Sequence, residues 1–97
     1  MILLKRADLY ANEERTVAWG YTVNQPRKGH EYYKGFVVSG ITLMGDSIYL
    51  ESKVGERFQL SLCDMNEAAL DNAEEALEQF GLQADWDRCK AISQTRG

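Results

Sequence analysis

Proline is nearly missing from this sequence of 97 residues: Pro26 stands alone, and the eight glycines are scattered rather than clustered. That scarcity argues against a fibrous or disordered chain. Histidine is equally sparse, with His30 the single example, and the two cysteines, Cys63 and Cys89, lie 26 positions apart. Zinc sites draw on cysteine or histidine pairs two to five residues apart, so no metal is expected. Glycine-rich phosphate loops, dinucleotide fingerprints and paired metalloprotease histidines are absent too. No apolar run approaches the roughly 20 residues that cross a bilayer. The opening Met1–Arg6 does not have the order of a secretory signal, which leads to the expectation of a cytoplasmic protein with both thiols reduced and buried.

Present instead is a chain of 11.0 kDa that is 44% hydrophobic and 27% charged. At that mass roughly 65% of the extended surface is buried on folding, enough for one core without staples. Residues 1–97 are therefore expected to form one compact domain, strands over 1–63 and helix over 64–94.

Periodicity places the elements. A first strand covers Met1–Ala11, although Lys5, Arg6 and Asp8 break its alternation. In Thr16–Val23 the period is two, and Val17, Trp19, Tyr21 and Val23 are expected on the apolar side. The stretch 24–31 has loop chemistry. Strand character returns in Tyr32–Met44, where Gly35 and Gly40 mark a bulge, bend or close backbone approach. Gly45-Asp46 fits a two-residue hairpin turn into Ser47–Lys53, and Val54-Gly55 a turn into Glu56–Cys63. At Asp64 the period becomes helical. Asp64 is expected as N-cap, Leu70, Ala73, Leu77 and Phe80 as the buried stripe, and Gly81 as C-cap. A shorter helix over about Ala84–Gln94 carries Trp86, Cys89 and Ile92 on one side. The predicted class is α+β: an antiparallel four- to five-stranded meander, then one long and one short C-terminal helix packed on one face.

Charge is sorted along the chain. Residues 64–87 carry eight carboxylates (Asp64, Glu67, Asp71, Glu74, Glu75, Glu78, Asp85, Asp87) and no lysine or arginine, although the formal net charge of the whole is only −4. Glu67–Asp71, Asp71–Glu75 and Glu74–Glu78 are like-charge pairs four apart, each costing a few tenths of a kcal/mol on an isolated helix. A helix chosen for stability alone would have interleaved lysines. The expected function is thus a non-enzymatic protein-binding module. Glu67, Asp71, Glu74, Glu75, Glu78, Asp85 and Asp87, with Trp86 as anchor, would dock onto a basic surface of a partner that handles nucleic acid.

Other readings differ in class. Arg27, Lys28, Tyr32, Tyr33 and Lys34, extended by Trp19 and Tyr21, have the cation-and-ring chemistry of a single-stranded nucleic-acid site. An acidic chain makes a poor footprint for a polyanion, however, which argues against direct nucleic-acid contact. A nucleophile at Cys63 served by His30 lacks any orienting third residue, so no catalytic residue and no cofactor is expected. Self-association through sheet edges or Trp86, giving a homodimer, is a further alternative.

In general character — short, acidic, without an enzyme signature — the chain resembles small accessory proteins encoded by bacteriophages and mobile elements. Several of those are stoichiometric inhibitors of CRISPR surveillance complexes or restriction enzymes. The resemblance is one of size and charge and transfers no site residue. It implies binding rather than catalysis, an anti-CRISPR or anti-restriction role, and the host cytoplasm as the place of action.

Overall fold

A computed structural model describes residues 2–12, 14–22 and 32–96, with the side chains at 22, 32–34 and 96 outside the description. Five strands come first: β1 (Ile2–Ala11), β2 (Thr16–Thr22), β3 (Tyr32–Met44), β4 (Ser47–Ser52) and β5 (Arg57–Ser61). A single 3-10 turn at Leu62–Asp64 leads into α1 (Glu67–Gln79) and α2 (Gln83–Arg96). The layout is α+β, as the sequence predicts. Neighbouring strands pair antiparallel in chain order, and the sheet then closes on itself where Ile2 and Leu3 pair in parallel with Phe58 and Gln59. That closure makes the sheet mixed and turns the meander into a small barrel. A two-residue pairing leaves no periodic trace, so it is invisible in the sequence. It also pairs the outer strands with each other, where open edges were considered as a route to self-association.

The broken alternation of β1 has a direct structural cause. Its register against β2 shifts between Lys5 and Asp8, and Arg6 takes a left-handed φ of 50°, the one non-glycine residue with positive φ among those described. The bulge leaves Lys5 and Arg6 both exposed between buried Leu4 and buried Ala7. The Arg6 amide donates to the Asp64 carboxylate at 3.0 Å, which holds the strained residue in place. A second shift in β3, between Val38 and Gly40, matches the glycine there. Gly45, with φ 61°, opens the expected turn into β4.

One expectation is reversed. On β2 the inward face is Thr16, Ala18 and Gly20, all buried, while Val17, Trp19 and Tyr21 are half-buried on the outside. The reason is room. β1 and β2 lie so close at the bulge that a Cβ on Gly20 would sit 3.2 Å from Cα and Cβ of Ala7 and from the Lys5 carbonyl oxygen. Only small side chains fit inside at that point. The wider part of the core is filled by Leu9, Ile48, Leu50, Phe58 and Leu60, with Phe36 stacked on Phe58 at 3.9 Å between ring centroids.

The helices complete the same core. The N-cap of α1 is Asn66, whose side-chain oxygen accepts the Ala69 amide at 2.8 Å; Asp64, expected in that role, is occupied in the preceding turn by Arg6. The buried side of α1 is Ala69, Ala73, Ala76 and Leu77: Ala73 and Leu77 of the expected stripe are buried, but Leu70 is half-buried and Phe80 is 39% exposed. Alanine at three of four inward positions lets the helix lie close along β1, where Asn72 donates to Asp8 at 3.2 Å. Gly81, φ 73°, ends α1 as predicted, and the Leu82 amide returns to the Leu77 carbonyl, so α2 folds back at once. Trp86 and Cys89 of α2 enter the core, while Ile92 is 42% exposed. Among the described residues no helix is long and apolar enough to cross a membrane.

Candidate functional site

The buried alanines fix which way the rest of α1 points. With one side of the helix against the core, Glu67, Asp71, Glu75 and Glu78 are exposed on the other, a row rising by four, four and three positions. None of the four has an ion pair among the described residues. Glu75 and Glu78 also line a groove of about 500 Å³ with Ala11, Asn12 and Gln79, where the end of β1 meets the helix. Its walls are polar amide and carboxylate beside one small apolar residue, a fit for the stem and head of a lysine or arginine.

The other carboxylates of the acidic segment are engaged. Lys90 of α2 reaches back to Glu74 at 3.2 Å and to Asp87 at 3.8 Å, Gln83 donates to both, and Arg88 bonds Asp85 at 2.8 Å. The Lys90 ammonium holds the Glu74 carboxyl below the usual carboxylate range, first by its hydrogen bond and then by its charge. Cations just outside the acidic window thus neutralise part of it, which a count confined to residues 64–87 hides.

Trp86, expected as a half-exposed anchor, is instead wholly buried. Lys90 lies 5.5 Å above its ring, and its indole N–H makes no well-formed hydrogen bond among the described residues, although it faces Glu74 closely enough to favour that carboxylate. It is a core residue that ties the two helices together, so neither a partner nor a second copy can reach it without unfolding α2. Trp86 therefore leaves the candidate surface; Asp85 and Asp87 keep exposed side chains but are paired with Arg88 and Lys90, whereas the row on α1 has no such cation beside it among the described residues.

The chemistry-bearing residues do not gather. Cys63 is exposed, contrary to expectation, with its sulfur 2.9 Å from the Ser61 hydroxyl; Cys89 is buried, 4.0 Å from the Ser47 carbonyl oxygen, and burial followed by the nearby Asp46 charge pushes its thiol up. His30, Arg27 and Lys28 lie outside the described residues, as do the side chains of Tyr32, Tyr33 and Lys34. Among the described residues no group of three or more His, Cys, Asp or Glu is arranged to hold a metal ion. A groove of about 410 Å³ over β3–β5 presents Thr42, Tyr49, Glu51 and Arg57, the last two opposite each other in register, without a nucleophile and base in contact.

A second feature lies on the outer side of β1 and β2. The reversal of β2 turns Trp19 and Tyr21 outward beside Tyr10, which is 41% exposed, and the Tyr10 and Trp19 rings sit 6.3 Å apart at 41°. The Arg6 guanidinium lies 6.0 Å over the Tyr21 ring. No protein-family model, curated protein or solved structure matches this chain.

Proposed function

We propose that the protein is a non-enzymatic binding module that docks the exposed acidic side of α1 onto a basic surface of a protein partner. One observation carries this reading: Glu67, Asp71, Glu75 and Glu78 have no ion pair among the described residues, on a helix whose position is set by a capped start, a buried alanine side and the Lys90–Glu74 tie. Such a preorganised row of like charge meets a Lys/Arg cluster with little ordering cost, and it speeds encounter through long-range attraction. The partner class is a complex that handles nucleic acid, because a surface that neutralises backbone phosphates is built from clustered Lys and Arg. Size, acidity and the resemblance to phage accessory proteins extend the proposal to inhibition of a host-defence complex.

The test begins with the partner retained by tagged protein from its native host, purified and titrated against a variant combining Glu67→Gln, Asp71→Asn, Glu75→Gln and Glu78→Gln. Affinity should fall at least tenfold at physiological salt, and the wild-type interaction should weaken as salt rises. The variant should be folded and no less stable. Equal affinity for the two proteins rejects the docking role.

A further inference from the structure

The sequence argues against nucleic-acid contact on total charge, but the structure sorts charge locally. On the outer side of β1 and β2 the bulge sets two adjacent cations, Lys5 and Arg6, at one end of a strip formed by Tyr21, Trp19 and Tyr10, with one carboxylate in the strip, Asp8, across from Trp19 in register and bonded by Asn72 at 3.2 Å. Lys5 is directly across from Tyr21 in the β1–β2 register, and alternate residues of one strand lie roughly 7 Å apart, so the rings follow one another along the sheet. Gly35 faces Trp19 from β3; the nearest atom to a Cβ there would be Trp19 Cβ at 3.8 Å, so position 35 itself puts no side chain against the indole. Trp19 is large and apolar, yet it is turned out while alanine and glycine take the inward positions. Arg6 is kept in a conformation unfavourable to any residue with a Cβ, at a point where a regular strand would have sent one of the two cations inward.

We infer that this outer strip of β1 and β2 binds a single-stranded nucleic acid, bases stacking on Trp19 and Tyr10 while Lys5 and Arg6 hold phosphate. The chemistry favours unpaired strands because rings offer faces to exposed bases. The strip's Tyr10 end lies near the acidic helix, where Asn72 donates to Asp8 and Glu75 and Glu78 line a groove with Ala11 and Asn12. The −4 net charge makes the affinity modest at best and leaves it dependent on the two local cations.

The two tryptophans supply the readout. Trp86 is sealed in the core, so a ligand that stacks on Trp19 quenches only the exposed part of the indole emission. An oligothymidylate of about ten nucleotides, added at about 20 mM salt, should quench that fluorescence saturably, and a duplex of similar length should not. With a labelled oligonucleotide followed by anisotropy, Trp19→Ala should lower affinity about tenfold. Arg6→Gly, which suits the left-handed backbone and so spares the fold, should weaken binding and reduce the salt slope by about 0.7. Neutralising Glu67, Asp71, Glu75 and Glu78 should leave oligonucleotide binding equal or tighter, which keeps this site's fate distinct from that of the acidic surface. No quenching at low salt, equal binding of duplex, or full affinity in folded Arg6→Gly and Trp19→Ala proteins would overturn the assignment.

Discussion

Gly20 shows how much of this molecule is decided by a single missing carbon. It lets β1 and β2 approach at the bulge, and that approach forces the large residues of β2 outward. Its nearest neighbours are backbone atoms and an alanine, which cannot swing aside. Gly20→Val should therefore cost about 1–3 kcal/mol by overpacking, read as a lower urea midpoint with an unchanged slope. Gly35→Ala, with nothing nearer than 3.8 Å, should change stability by less than about 0.5 kcal/mol in the same measurement. The pattern Val17–Trp19–Tyr21 was legible as a strand, yet its facing was not, because alternation gives two equivalent faces and only the Ala7–Gly20 contact chooses between them. Asp64 teaches the same lesson. Its suitability as an N-cap was readable, but its recruitment by Arg6, 58 positions earlier, depends on a bulge that no local rule reveals.

At the level of elements the sequence was more informative, since strands, turns and helices announce themselves through period and punctuation. Tyr32–Met44, the Gly45-Asp46 turn and the stop at Gly81 all lie where period and glycine put them. The relation of α1 to α2 was not readable, because it rests on Lys90 crossing to Glu74. That contact has a pH signature. The Glu74 carboxyl is held below its ordinary value of 4.5, so its contribution is complete above that value and is lost as pH falls through the lower, folded value. Lys90→Gln should accordingly melt below wild type at neutral pH, and the two melting temperatures should converge as the pH is taken well below 4.5. A gap that persisted in acid would mean that Lys90 acts through its packing on Trp86 instead of through the ion pair.

For the whole molecule, the acidic row is a standing electrostatic load on the folded state. Screening should relieve it: the melting temperature should rise as salt is added up to about 0.3 M, where the Debye length falls to roughly 6 Å. The row neutralised at Glu67, Asp71, Glu75 and Glu78 should lose most of that salt response and melt a few degrees higher, as removal of about 1 kcal/mol of like-charge repulsion implies for a domain of this size. A salt response unchanged by neutralisation would locate the load elsewhere. The barrel has a consequence of another kind. Because Ile2 and Leu3 find their parallel partners only at Phe58 and Gln59, a chain emerging from a ribosome cannot seal its first strand until the fifth has been made. Until then β1 is a sticky ribbon in search of a neighbour, so the nascent polypeptide is most exposed to wrong pairings and to chaperones before the helices that roof the core have been synthesised.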